Sequence, residues 1–280
     1  MKFVDIKNDV AFRKIFGNEN RKEVLISFLN AVLMLEDNHK IVDVEILSPF
    51  QLPELARGKV TIVDIKARDQ SGKNYIVEMQ VAEVDGLDKR ILYYASKSYS
   101  SQIDRGELYN KLNPIFFIGI LEFEITQNAH YLSRHKIIDI ATGENFIKDI
   151  EFNFIELPKF NKSENELKSV TDQWVYFIKN AENLNIIPET VKDEGLIKAY
   201  EDADKHNWTK QELEYYDYAS MREQDDRGKL TFAEKKGENK GNKEARVAMA
   251  LQMIADKMNI ELILKYSGLS IDEINNLKKK

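Results

Sequence analysis

The sequence predicts an α/β protein: a mixed sheet flanked by helices, followed by an all-helical C-terminal region. Three observations carry that prediction. Residues Lys59–Val81 form two alternating apolar runs around a short polar turn, the signature of a half-buried hairpin. Ile115–Leu121 (IFFIGIL) is a continuous apolar run behind Pro114, as expected for a central strand buried on both faces. After residue 160 no alternating pattern occurs, and apolar residues recur at helical spacing instead.

In chain order, Phe12, Ile15 and Phe16 give a short helix over residues 8–17 that Gly17 stops. A second helix, 21–35, places Val24, Leu25, Phe28, Leu29, Val32 and Leu33 on one face. Ile41–Leu47 alternates as a strand, and Pro49 and Pro53 mark a loop. The hairpin follows, then a helix from Leu87 to Ile103, the central strand, and strands near 129–140 and 150–157. Leu167, Val170, Trp174, Phe177 and Ile178 predict another helix, and Thr209-Lys-Gln-Glu212 is a capping box opening a long charged one. Gly237–Asn242 (GENKGN) reads as a polar linker. Beyond it, helix 243–258 precedes a pair around Gly268, Glu261–Tyr266 and Ile271–Leu277, with Ser270 and Glu273 capping the last. The expected organisation is a core at 1–160, an acidic helical extension at 161–236, a linker at 237–242 and a small helical element at 243–280.

The hairpin concentrates the chemistry. A three-residue loop, Gln70-Ser71-Gly72, puts glycine where a left-handed residue is needed. It closes on Asp69 and Lys73, and that register sets Asp64 opposite Glu78, with Gln80 on the same face. Directly opposed side chains have Cβ atoms roughly 5 Å apart, where like charges repel. Two facing carboxylates among Ile62 and Ile76 are explained by a divalent cation held between them. Oxygen donors without cysteine favour Mg²⁺ or Mn²⁺ over Zn²⁺. Asp9 on the first helix is a candidate third ligand or simply a first-turn acid facing the helix dipole; Glu54 is a weaker one. Gln80 cannot act as a general base, since its amide does not titrate, but it can orient water. The alternative is a polar residue on the sheet face. Lys66 is either a cation for the site or a surface lysine. On the following helix Arg90 and Tyr94 share a face, and with Lys97 they suit phosphate contacts; Gln102 is placed on the same helix. A solvated face over packed tyrosines is the alternative.

The pattern Asp64…Glu78-x-Gln80 on a hairpin resembles the PD-(D/E)XK nuclease site, with Gln80 where lysine usually stands. Lys7–Leu33, the VDIKARD and VEMQ strands, and Arg90–Leu121 together look like the PD-(D/E)XK family transposases, also called recombination-promoting nucleases. Lys265–Leu277 is similar to the end of those proteins. The resemblance implies a restriction-endonuclease-like fold, DNA as substrate, a metal held by Asp64, Glu78 and the Met79 carbonyl, and a link to recombination and mobile elements.

Composition bounds the rest. The net charge of −6 is unfavourable for DNA binding, but residues 182–226 hold thirteen acids against five bases, so the remainder of the chain is slightly basic. A nuclease needs only a local basic groove. Zero cysteines exclude disulfides and thiolate metal sites and suit a reducing, cytoplasmic setting. The four histidines lack metal-ligand spacing, and no apolar stretch is long enough to span a membrane. The expectation is therefore a Mg²⁺-dependent DNA endonuclease. Two rivals remain: a catalytically inactive, nuclease-derived DNA-binding or regulatory protein, and a scaffold assembling through its C-terminal helices as a homo-oligomer.

Overall fold

The computed structural model describes residues 1–48, 50–51 and 61–278. Helix α1 (Asp9–Phe16) is capped by Asn8, whose side chain accepts from the Val10 and Ala11 N–H groups. Helix α2 (Lys22–Val32) follows, then strands β1 (Val44–Leu47) and β2 (Phe50–Gln51). Pro49, Pro53 and Glu54 lie outside the described residues. The hairpin comprises β4 (Ile65–Asp69) and β5 (Asn74–Gln80), preceded by β3 (Thr61–Ile62), which pairs with β2 in a separate small sheet. The expected first hairpin strand is thus interrupted at Val63 and Asp64. Its turn is as expected: Gly72 has φ +88°, and the Asp69 N–H donates to the Lys73 carbonyl at 3.0 Å. Asp69 organises that turn, accepting from Ser71, from the Lys73 N–H and from the Tyr75 hydroxyl.

Helix α3 (Leu87–Ser100) connects the hairpin to β6 (Ile115–Leu121), and β7 (Leu132–Lys136) and β8 (Ile150–Glu156) complete a six-stranded sheet ordered β1-β4-β5-β6-β8-β7. The three middle strands β5, β6 and β8 run parallel, and the outer pairings are antiparallel. The IFFIGIL strand is central, as predicted.

Strand alternation sends the two faces to different cores. Ile65, Ala67, Tyr75, Val77, Met79, Ile118 and Ile120 join α1, α2, α4 (Val170–Asn180) and α5 (Glu194–Ala203) in the larger one. Ile76, Phe117, Leu121 and Phe154 meet Leu87, Ile91 and Ala95 of α3 in the smaller. Helices therefore cover both faces, each burying an apolar stripe.

Two expectations about the later chain are corrected. Residue 160 is not the end of the core: Trp174 and Tyr200 are fully buried, with Trp174 among Phe16, Phe28 and Phe177 and its indole N–H donating to Ser27 at 3.0 Å. The first compact unit extends over Met1–Ser220. The amphipathic helices after 160 bury their apolar faces against α1 and α2. Nor is GENKGN a break, because α6 (Lys210–Ala255) is continuous through it. Its neighbours are helix-favouring Lys, Glu and Ala, which outweigh about 1 kcal/mol per interior glycine. The second unit, Met221–Lys280, has its own small core of Ala250, Met253, Ile263, Leu269 and Ile274, joining α6 to α7 (Ile260–Ser267) and α8 (Ile271–Lys278) around the left-handed Gly268.

Candidate active site

Asp64 and Glu78 come together at the C-terminal end of β5. The hairpin pairs Ile65 with Val77 and Lys66 with Ile76, and the same register carried one step further sets Asp64 against Glu78. The ladder continues there by side chains. The Met79 N–H donates to Asp64 Oδ2 at 2.9 Å, and the Asp64 N–H donates to Glu78 Oε1 at 3.2 Å. The Gln80 amide donates to Glu78 Oε2 at 3.1 Å. Each acid is thus held by the backbone of the other's strand, which fixes their mutual position more tightly than flexible side chains alone would.

Glu78 is only 3% exposed. Burial, and then the neighbouring charge of Asp64, push its carboxyl up to about 8, against the opposing pull of Arg90 and of the two donors. Gly119 of β6 is the parallel partner of Glu78. A Cβ there would lie 2.9 Å from the Phe154 ring, so the close packing of that ring requires a glycine. A small pocket opens at this point, lined by Glu78, Gln80 and Gly119 from the sheet and by Leu87, Arg90 and Tyr94 from α3.

Arg90 and Tyr94, one turn apart as predicted, interact directly. The Arg90 Nε–H donates to the Tyr94 hydroxyl at 2.9 Å, with the guanidinium carbon 5.1 Å from the ring centroid. Lys97 follows on the same helix with its amine 6.0 Å from the Tyr93 ring. Lys66 lies two pairs from Asp64 and Glu78, but burial and then Arg68 push its amine below the usual lysine range. Gln102 is not on α3, which ends at Ser100. It is tied to the Asn113 backbone by two 2.9 Å bonds.

Asp9 is an exposed first-turn acid. Among the described residues no three His, Asp or Glu side chains converge, so Asp9 does not join the Asp64 and Glu78 pair. Its charge instead supports Arg13, one turn on. The Arg13 Nη2 donates to Asp64 Oδ1 at 2.9 Å. Burial disfavours that guanidinium's charge, but Asp64, then Asp9 and Glu78, outweigh it and raise its pKa. Sequence reading did not single out Arg13. Its partner is 51 positions away, and the only local hint is the Asp9–Arg13 spacing of four on a helix.

A hairpin that brings an aspartate and a glutamate together at one end of the inner strands of a mixed sheet, with a helix over the same face, is the arrangement of a nuclease-type α/β protein. The chain belongs to the PD-(D/E)XK nuclease family transposases, which match it over residues 6–233; the sheet is accordingly a restriction-endonuclease-like one. Neither a curated protein nor a solved structure gives a match.

Proposed function

We propose that the protein is a metal-dependent DNA endonuclease that hydrolyses phosphodiester bonds in recombination or the movement of mobile elements, in a reducing cytoplasmic setting. The observation that carries this reading is the Glu78 carboxyl, buried beside Asp64 and pushed up to about 8. Burying an ionisable carboxyl beside a second one is costly, and hydrophobic packing gives no reason for it. An all-oxygen donor set of two carboxylates fits Mg²⁺ or Mn²⁺. Asp64 and Glu78 would hold the ion, and the family pattern adds the Met79 carbonyl. When bound, such an ion supplies Lewis-acid activation of water and of the phosphate.

The chain's own residues supply the rest. Gln80, fixed against Glu78, has an amide able to orient an attacking water. Arg90, steadied by Tyr94, presents positive charge beside the pocket for a phosphate oxygen, and Lys97 extends that stripe along α3. The binding-only alternative draws on one observation: Gln80 is neutral and already committed to Glu78. Supercoiled plasmid incubated with Mg²⁺ or Mn²⁺ decides between them. Nicking or linearisation by wild type that is lost in Asp64→Asn and Glu78→Gln supports the nuclease. DNA binding without cleavage of any DNA form, with either ion, supports the alternative.

A further inference from the structure

Each of the four carboxylate oxygens of Asp64 and Glu78 has a donor from the chain. Three of these donors belong to the hairpin itself: the Met79 N–H, the Asp64 N–H and the Gln80 amide. The fourth, Arg13 on Asp64 Oδ1, comes from α1 and, among the described residues, is the one carrying a full charge. The two backbone donors cannot leave without breaking the strand pair, and the Gln80 amide serves Glu78 rather than Asp64. Arg13 can leave. Its side chain is 48% exposed, against 14% for Asp64, and partly exposed ion pairs are weakly held. Its helix stays anchored by the Asn8 cap while the side chain turns.

Among the described residues the other nearby cations do not stand in this relation to Asp64. Arg90 is bonded to Tyr94 and acts on Glu78. Lys66 is governed by burial and by Arg68.

Resting on the metal-nuclease reading above, we propose that Arg13 is a built-in competitor for the metal. It holds the Asp64 oxygen that a divalent cation needs, gives it up when the cation binds, and then presents its guanidinium to the scissile phosphate. Arg13 in this way supplies the positive charge that a lysine would bring where Gln80 stands. A released guanidinium tethered within one side chain's reach of a metal ligand is well placed to stabilise charge developing on the phosphate. Asp9, one turn back, keeps it close to the site.

The competitor makes metal affinity and turnover move in opposite directions. In calorimetric titration of the full chain with Mn²⁺, Arg13→Met is expected to bind about five- to tenfold more tightly than wild type, because an ion-pair partner and a repelling charge are both gone. Arg13→Lys, which keeps the charge, should stay within about twofold. Plasmid cleavage at saturating Mn²⁺ should fall about ten- to a hundredfold in Arg13→Met, with Arg13→Lys partly restoring it. Arg13→Gln is read the same way should Arg13→Met fail to fold, with thermal melts in EDTA checking each variant. Unchanged or weakened Mn²⁺ binding in the neutral variants, or undiminished turnover, overturns the proposal. If wild type itself neither binds Mn²⁺ nor cleaves, the nuclease reading fails, which is a different result.

Discussion

At the scale of single residues, Glu78 makes the protein's stability depend on pH in an unusual direction. An ordinary carboxylate near 4.5 is pushed up to about 8 by burial and by Asp64. Between those values the folded protein holds a proton that the unfolded chain has released. Glu78's contribution is therefore intact below about pH 4.5 and is lost as pH rises through about 8. In EDTA, Glu78→Gln should melt near wild type at pH 5 and well above it at pH 9, by on the order of a few kcal/mol. Parallel melting curves at both pH values would remove the buried charge as a cost. Asp64→Asn should give no such gain, because it forfeits the Arg13 ion pair. Gln80→Ala should slow cleavage about ten- to a thousandfold, the scale of one lost positioning contact, with Mn²⁺ affinity scarcely altered. Gln80→Lys should keep or raise activity, since its amine can pair with Glu78 and face the phosphate. Single-turnover cleavage rates measured alongside calorimetry check both.

Helix α3 and helix α6 give tests at the scale of elements. If Arg90 contacts a phosphate, Arg90→Ala should weaken DNA binding at every sequence tested and lower the salt slope of log K by about one. Tyr94→Phe, which keeps the ring but frees the guanidinium, should do less. In α6, Gly228, Gly237 and Gly241 have open space where a Cβ would go. Their joint replacement by Ala should raise helical content and the melting temperature, each site being worth about 0.5–1 kcal/mol. A flexible linker at 237–242 would show no gain. The same elements mark how far the sequence is legible. Helices α1, α2 and α3, the hairpin register and the buried central strand all follow from local periodicity and turn chemistry, which need no knowledge of distant residues. The break at Asp64 does not. Val63 through Arg68 alternates like one strand, yet at Asp64 the Met79 N–H is taken by the side-chain carboxylate. The continuity of α6 was hidden because glycine-rich polar composition is shared by linkers and by solvated helices.

For the whole molecule, the boundary that matters lies near residue 220 rather than 160. The N-terminal segment bridges to the end of α5 through Phe3 and Asp204, with the Val4 N–H donating to the Ala203 carbonyl at 3.0 Å. The Asn8 amide reaches the Tyr216 carbonyl and Ser220, and Lys14 pairs with Glu212. A chain of residues 1–220 should therefore unfold in one cooperative transition. A chain of residues 1–160 should lack it, having uncovered Phe16 and Phe28 where Trp174 packs. Heat-capacity scans of both truncations provide the comparison, and a sharp transition in the shorter one would contradict the extended core. The placement of these contacts could not be read from the sequence, because periodicity tells which face of a helix is apolar but not which distant surface it covers.

That clasp between the first residues and those past 200 also orders events in time. The helix bearing Arg13 is synthesised well before α6, yet its seat is completed by chain made some two hundred residues later. Contacts of such long sequence separation form late. A chain still being made thus carries Asp64 and Glu78 without a settled Arg13, and assembly of the site waits on translation of α6. Ribosome-stalled chains ending at 160 should show α1 open to limited proteolysis, and chains stalled well beyond 220 should show it protected. Equal protection at both lengths would mean that the helix docks without its clasp.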